Sequence, residues 1–376
     1  MFSKNHYINW ISVLLIFLIN QIFIIKYLSR VTDYFFAGSL FFTLLFFSII
    51  FINKRTRFNS STKDNKYYYL IAIILASLFF VIAFAVPESS NVNRIREIRI
   101  WLENLNDGIY PYLSRENPSS FPFLFLSAAP FYYLTILEAV SAAGVAAVTF
   151  LSVYFSSTKR ELFLRLSLIA ISLPLYYEAV VKSELTFNIA LLIVLILLTQ
   201  KFADPQKSDL KFFLLSIFWG FALSTRMIAF VVFIIFLLFY FRQRLFNLYL
   251  FASLSLLVFL LTNLPFFLWY PELFVLDGPF AVQSSYMPFS LGVIFMIFII
   301  YAGWSVSNLQ ELFFATGIIL FLLASTSFAI SVWNYGFHNT LFNSYFDIAY
   351  FIFSIPFFIL SVEESKVDKF LGKVLV

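Results

Sequence analysis

The chain lacks the side chains from which most redox and metal sites are built. It contains no cysteine among its 376 residues, which excludes disulfides, thiolate nucleophiles and cysteine-ligated metals. Its two histidines, His6 and His338, are too few to form a zinc site by themselves. We therefore expect no metal and no resident cofactor, and any catalysis would rest on carboxylates, amines, guanidinium groups and hydroxyls.

Charge is also scarce. Asp, Glu, Lys and Arg make up 12% of the chain, whereas soluble domains carry about 25%. With 61% hydrophobic residues and a mean hydropathy of +0.90, this composition indicates an all-α polytopic membrane protein. We find no soluble domain and no linker, and we expect a single transmembrane domain over residues 1–376.

The apolar segments predict a bundle of about twelve transmembrane helices. The segment 123–155 is too long for one span and predicts a re-entrant piece followed by a span. The predicted segments are 8–28, 35–52, 67–86, 123–155, 161–177, 185–200, 211–225, 227–241, 246–264, 289–306, 311–332 and 345–361.

Basic residues alternate with the other polar loops. Most of the 25 Lys and Arg residues fall in 54–66, 159–165, 201–211, 242–244 and 366–373. By the positive-inside rule these segments are cytoplasmic, so we predict an inner (plasma) membrane protein with both termini in the cytoplasm. Such dispersed charge does not favour nucleic-acid binding, and the expected environment is membrane lipid.

The largest external loop in this topology, residues 87–122, contains a predicted helix. Ser89, Ser90 and Asn91 are good N-caps, and Gly108 with Pro111 predicts the end of the helix. Polar residues occupy the opposite face, so we expect an amphipathic helix that lies in the membrane surface. Its apolar stripe recurs every three or four residues and comprises Val92, Ile95, Ile98, Trp101, Leu102 and Leu105.

The order of several short motifs resembles the GT-C superfamily of integral-membrane glycosyltransferases, especially its polyprenyl-phosphate-mannose-dependent branch. The resemblance covers about residues 67–361, and it is the order of the motifs that carries it. After the external helix come Gly-x-Tyr-Pro-Tyr at 108–112, "GFALSTR" at 220–226, "TNLPFF" at 262–267 and "GFHNTLFNSYF" at 336–346.

The resemblance implies a fold, a reaction and a site. The fold would be a GT-C-like helix bundle whose active site opens at the external face. The enzyme would move a mannose-like sugar, with inversion and without a required metal, from a polyprenyl-phosphate donor to a lipid or glycan acceptor. Tyr110 and Tyr112 would belong to the loop that contacts the acceptor and donor.

The resemblance places the general base at Asn91, although an amide cannot accept a proton at neutral pH. Three interpretations remain open. The chain is an Asp→Asn variant made to trap a substrate complex, or Glu88 has taken the catalytic role, or the protein is inactive and Asn91 only caps a helix.

Four cationic residues are candidates for binding the donor phosphate. Arg226 lies between two short apolar runs, where a membrane-embedded charge indicates function unless it is a snorkelling anchor. His338 lies on the external loop before the last segment, where an ordinary loop histidine is an equal alternative. Lys182 and Arg94 could reach a phosphate as well. Lys182 could instead pair with Glu178 or Glu184, and intrahelical pairs such as Arg99 with Glu103 are the usual fate of charges near Arg94.

Two other classes of function compete with the glycosyltransferase. A polysaccharide polymerase, ligase or flippase of cell-envelope glycan assembly has similar span counts, but its large loop usually lies late in the chain. A secondary transporter often shows inverted repeats and broken helices, and we find no repeat here.

Overall fold

A computed structural model describes residues 4–55, 66–88, 94–113, 118–284, 288–343 and 345–362. Every regular element in these ranges is helical, and they contain no strand, which confirms the all-α prediction. The helices are α1 Lys4–Phe23, α2 Phe35–Arg55, α3 Lys66–Ala85, α4 Arg94–Asn106, α5 Pro122–Tyr133, α6 Ala139–Phe155, α7 Lys159–Ala170, α8 Leu173–Val181, α9 Leu185–Phe202, α10 Leu210–Leu223, α11 Ile228–Phe241, α12 Leu245–Trp269, α13 Pro279–Ser284, α14 Phe289–Ser305, α15 Leu309–Tyr335, α16 Phe337–Phe342 and α17 Ile355–Ser361. π-helical turns cover Ile24–Leu28 and Leu273–Asp277, and a 3-10 helix covers Ile348–Ser354.

Six helices in the described ranges are long and apolar enough to cross a membrane, and a seventh counts if α7 and α8, bent by 49°, form one broken span. These are features of a multi-pass membrane protein. The predicted segment 123–155 divides into α5 and α6. The number of twelve spans stays a prediction, because helices such as α10 and α11 have only 14 residues each. At 1.5 Å per residue such a helix covers about 21 Å, less than the roughly 30 Å of the hydrocarbon core.

The chain divides into two compact units. The first comprises Met1–Ile82, Val145–Val180 and Ser307–Val376, and the second comprises Ala83–Gly144 and Val181–Val306. This division into units does not test the expectation of a single transmembrane domain, which stays a prediction.

A buried arginine organises part of the first unit. Arg165 is fully buried on α7, where its guanidinium lies 2.7 Å from the carboxylate of Glu161 one turn earlier. It also donates to the carbonyl oxygens of Leu360 at 2.7 Å and Val362 at 3.1 Å, at the end of α17. Arg165 falls both in the predicted segment 161–177 and among the loop residues 159–165 of the predicted topology. The structure places it inside a helix, because α7 begins at Lys159, so the prediction that it is a loop residue is wrong.

In the second unit, α4 confirms the helix predicted within residues 87–122. It ends at Asn106, and Gly108 follows with a φ of +69°. Most of its apolar side is buried within the protein, and its location in a membrane surface stays a prediction. Trp101 is fully buried and stacks on Phe125 of α5, with ring centroids 4.7 Å apart, and it also contacts Phe266 of α12 at 5.4 Å. The predicted capping residues 89–91 lie outside the described residues.

We expect Arg165→Ala to lower the free energy of unfolding by about 3 kcal/mol or more, because it leaves the buried carboxylate of Glu161 without its cation. Arg160→Ala, at an exposed position of the same helix, should change stability by less than about 0.5 kcal/mol. Thermal and denaturant unfolding in detergent would measure both, and equal effects would show that Arg165 is not buried as described.

We expect Trp101→Ala to lower the free energy of unfolding by about 3–5 kcal/mol, as for other large buried side chains. The control is Trp333→Ala on α15. The side chain of Trp333 is 90% exposed, so its removal should change the free energy of unfolding little. Denaturant unfolding would compare the two variants. If α4 instead rested with Trp101 against lipid, both substitutions would have similarly small effects.

Candidate functional site

Buried charges meet in the second unit where several helices end. Glu184 immediately precedes α9, and Arg226 lies in the turn between α10 and α11. Both are almost fully buried, and Nη2 of Arg226 donates to Oε1 of Glu184. Nη1 of Arg94, the first residue of α4, lies 3.9 Å from the same carboxylate oxygen. We call Arg94, Glu184 and Arg226 the charge cluster, in which two guanidinium groups face one carboxylate.

The two arginines determine the ionisation of Glu184. Burial alone would raise the pKa of this carboxyl group, since it penalises the charged form. The positive charges of Arg226 and then Arg94 outweigh burial and hold the pKa below its ordinary value. Glu184 is therefore a carboxylate at neutral pH, and its charge compensates those of the arginines.

Part of the hydrogen-bonding capacity of the cluster is unused. Within the described part of the chain, Oε2 of Glu184 and Nε of Arg226 are buried and have no hydrogen-bond partner. A buried polar atom without a partner costs about 1–3 kcal/mol. A guanidinium group presents several N–H donors in a planar fork that matches carboxylate or phosphate oxygens. The cluster thus combines a free donor and a free acceptor at one place.

Lys182 lies beside the cluster in the turn between α8 and α9. Its φ of +56° is in the left-handed region, which costs a non-glycine residue on the order of 1 kcal/mol. The side chain is buried, and Nζ lies 3.6 Å from Oε1 of Glu138. We predicted that Lys182 would bind phosphate or pair with Glu178 or Glu184. Lys182 forms an ion pair with Glu138. The carboxylate of Glu184 pairs with Arg226 and Arg94 instead.

The backbone of the turn between α10 and α11 is held by the start of α5. The N–H groups of Phe121 and Phe123 donate to the carbonyl oxygens of Thr225 and Ser224, each at 2.9 Å. These bonds satisfy carbonyl groups that the interruption of the helix leaves without an intrahelical partner. They fix the turn that carries Arg226.

A second polar group surrounds the same turn. It consists of Ser224 and Thr225 in the turn, Asn188 on α9 and Asn263 on α12, and we call it the break network. Nδ2 of Asn188 on α9 donates to Oγ1 of Thr225 at 2.5 Å, and Nδ2 of Asn263 on α12 donates to Oγ of Ser224 at 3.0 Å. All four side chains are buried. Among the described residues, Oδ1 of both asparagines makes no hydrogen bond.

Of the two positions expected to supply the general base, only Glu88 is among the described residues, and it lies apart from the charge cluster. Glu88 is partly exposed and pairs with Arg99 at 3.0 Å. Arg99, which served as the example of intrahelical pairing with Glu103, thus forms an ion pair with Glu88. Asn91 lies outside the described residues, so its proposed roles stay predictions.

The remaining predicted residues are His338, Tyr110 and Tyr112. His338 is an exposed residue of α16 in the first unit, where its ring contacts Phe342 at 5.2 Å. Tyr110 and Tyr112 are buried in an aromatic cluster of the second unit, and burial raises the pKa of both hydroxyls. Tyr112 donates its hydroxyl to the carbonyl oxygen of Ser120 at 2.9 Å. Their predicted contact with acceptor or donor stays a prediction.

Glu184 is the central acid of the cluster, although the sequence indicated it only as a possible partner of Lys182. A signal was present, because an acid at the beginning of a long apolar segment is costly and needs a partner. The backbone N–H of Asn188 donates to the carbonyl oxygen of Glu184, which begins the helix there. In the described part of the chain, no three acidic or histidine side chains converge as metal ligands would.

We expect Glu184→Gln to destabilise the protein at neutral pH, because Arg226 and Arg94 then face each other without an anion. Because the pKa of Glu184 is lowered in the folded protein, its ionised carboxylate stabilises the fold fully above the ordinary pKa of 4.5. This contribution to stability is lost as the pH falls below that value. Thermal unfolding in detergent from neutral pH to about pH 3 should show the difference from the unsubstituted protein shrinking in acid. The control is Glu103→Gln, at an exposed position, which should change the unfolding temperature little at any pH. A difference in unfolding temperature between Glu184→Gln and the unsubstituted protein that does not vary with pH would contradict an ionised Glu184.

Comparison of the chain with family models, curated proteins and solved structures finds no match. Any assignment of function therefore rests on the chemistry of the charge cluster and its surroundings.

Proposed function

We propose that the protein is a membrane glycosyltransferase of the GT-C type, which transfers a sugar from a polyprenyl-phosphate donor to a lipid or glycan acceptor. The observation that carries the proposal is the charge cluster. Arg94 and Arg226 come from different helical segments to the carboxylate of Glu184, and all three are largely shielded from solvent. Glycosyl transfer from a lipid phosphate needs these two kinds of group, cations for the leaving phosphate and a carboxylate for the proton.

The arginines would bind the donor phosphate. A polyprenyl-phosphate sugar is a phosphodiester with one negative charge, and its phosphate gains a second charge when the bond to the sugar breaks. Guanidinium groups stabilise that developing charge through charge-assisted hydrogen bonds. Arg226 is suited to this role, since its buried Nε has no hydrogen-bond partner among the described residues. No metal ion is needed for this part of the reaction.

Glu184 would accept the proton of the acceptor. The hydroxyl oxygen of the acceptor attacks the anomeric carbon from the side opposite the phosphate, and its proton passes to the carboxylate. The bond from the anomeric carbon to the phosphate oxygen breaks, and its electron pair leaves with the phosphate. The configuration at the anomeric carbon is thereby inverted.

Binding of the donor would strengthen Glu184 as a base. In the free protein the arginines lower its pKa against the effect of burial. A phosphate that neutralises Arg226 and Arg94 removes much of this lowering, and the effect of burial then raises the pKa. We therefore assign the base to Glu184 rather than to Glu88, which is partly exposed and paired with Arg99. The mechanism then needs no acid at position 91.

The proposal places the cluster at the extracytoplasmic face of the inner membrane. The distribution of Lys and Arg supports cytoplasmic termini, so α4 would lie on the external side. Exposed Trp269 and Tyr270 follow at the end of the long apolar helix α12, as is usual for aromatic residues at a membrane interface. With its apolar stripe against α5 and α12, α4 would present its polar face to the external water.

We expect the purified protein in liposomes to transfer labelled mannose from polyprenyl-phosphate mannose to one member of a panel of lipid and glycan acceptors. Arg226→Ala should reduce transfer by about 100-fold or more, since it removes a group that stabilises the leaving phosphate. Arg244→Ala, at an exposed loop position, is the control and should leave transfer unchanged.

Two further variants separate the possible bases. Glu184→Gln should abolish transfer while donor binding remains, whereas Glu88→Gln should retain transfer. Absence of both donor binding and transfer, in the chain as given and in Asn91→Asp, would refute the proposal. Donor binding without transfer in both would favour a flippase of cell-envelope glycan assembly instead.

A further inference from the structure

The break network contains hydrogen-bonding groups that the protein itself does not satisfy. The side-chain oxygens of Asn188 and Asn263 are buried, and within the described ranges neither has a hydrogen-bond partner. Each amide nitrogen is already occupied, by Thr225 and by Ser224. The unused groups are therefore two hydrogen-bond acceptors, held in place by neighbours on both sides of the turn between α10 and α11.

Hydrogen bonds place these acceptors next to the charge cluster. The backbone N–H of Asn188 donates to the carbonyl oxygen of Glu184 at 2.9 Å, and its side chain donates to Thr225, which directly precedes Arg226. The side chain of Asn263 donates to Ser224, two residues before Arg226. Both acceptors therefore belong to residues that are bonded to the immediate neighbours of the arginine and the carboxylate.

The chemistry of the two amide oxygens favours a ligand that donates hydrogen bonds. Neither an anion nor an apolar group supplies a donor. A metal cation would suit the oxygens but would be repelled by the neighbouring Arg226. A sugar hydroxyl donates as well as accepts, and a hexose carries several.

We propose that Asn188 and Asn263 bind the hydroxyl groups of the sugar on the donor, beside the arginines that bind its phosphate. This inference rests on the proposed function and specifies which part of the donor each group recognises. Because an amide oxygen at a fixed position meets a hydroxyl in only one orientation, the two asparagines would also distinguish epimeric hexoses.

The test compares the binding of two lipids, polyprenyl-phosphate mannose and polyprenyl phosphate without a sugar. The variants are Asn188→Leu and Asn263→Leu, which keep the number of side-chain heavy atoms but remove the whole amide group, including the donor to Thr225 or Ser224. Each should weaken binding of the mannose donor about tenfold or more, while binding of the sugar-free lipid changes by less than about twofold. Asn247→Leu is the matched control, since it removes a buried asparagine of α12 whose amide donates to the carbonyl oxygen of Pro205.

Binding of the sugar-free lipid also reports whether a variant is folded. Equal weakening for both lipids would show that the break network is only structural, and no change for either would show that the asparagines do not face the sugar. Both results overturn the inference.

A measurement on the unsubstituted protein applies even if the variants do not fold. It should bind the mannose donor more tightly than the sugar-free lipid and should prefer mannose over its epimer glucose. Equal affinity for all three lipids overturns this inference alone, since binding of the phosphate would remain. Failure to bind any of them refutes the proposed function as well.

Discussion

The second unit depends on one interaction, the burial of the Glu184 carboxylate between two arginines. Without it, Arg94 at the start of α4 and Arg226 in the turn between α10 and α11 would repel each other in a medium of low polarity. With it, three segments that are far apart in the chain are joined by charge in addition to their apolar contacts. Since buried ion pairs often contribute little net stability compared with apolar packing, function is the better explanation for retaining so many charges here.

The break network follows from the same turn. Interruption of the helix after Leu223 leaves backbone groups without intrahelical partners, and α5 and neighbouring side chains supply those partners. Irregular backbone within apolar helices persists only where protein or a polar cavity surrounds it. The turn that carries Arg226 is therefore also the place where polar side chains accumulate, so the charged and uncharged parts of the candidate site share one structural origin.

The sequence predicted the helices well because their apolar character is local and can be read from a window of one helix length. It did not predict the partners of the charged residues. Glu184 and Arg226 are 42 residues apart in the chain, and the residues around each of them do not indicate that the two form a pair. The partners of Arg165 were not predictable for the same reason, since Leu360 and Val362 lie almost 200 residues further along the chain. The prediction that a membrane-embedded arginine marks a site rests on the cost of burying charge, and it applies to Arg226 from the sequence alone.

The packing of Trp101 determines how a lipid could reach the candidate site. For α4 to lift away like a lid, it would have to separate Trp101 from Phe125 and Phe266 and expose all of these rings. That cost favours an α4 that stays packed against α5 and α12. A long isoprenoid chain would accordingly enter sideways from the bilayer between helices, while a water-soluble glycan acceptor would approach from outside. With a glycan acceptor, the two substrates of the proposed reaction would then arrive by separate routes.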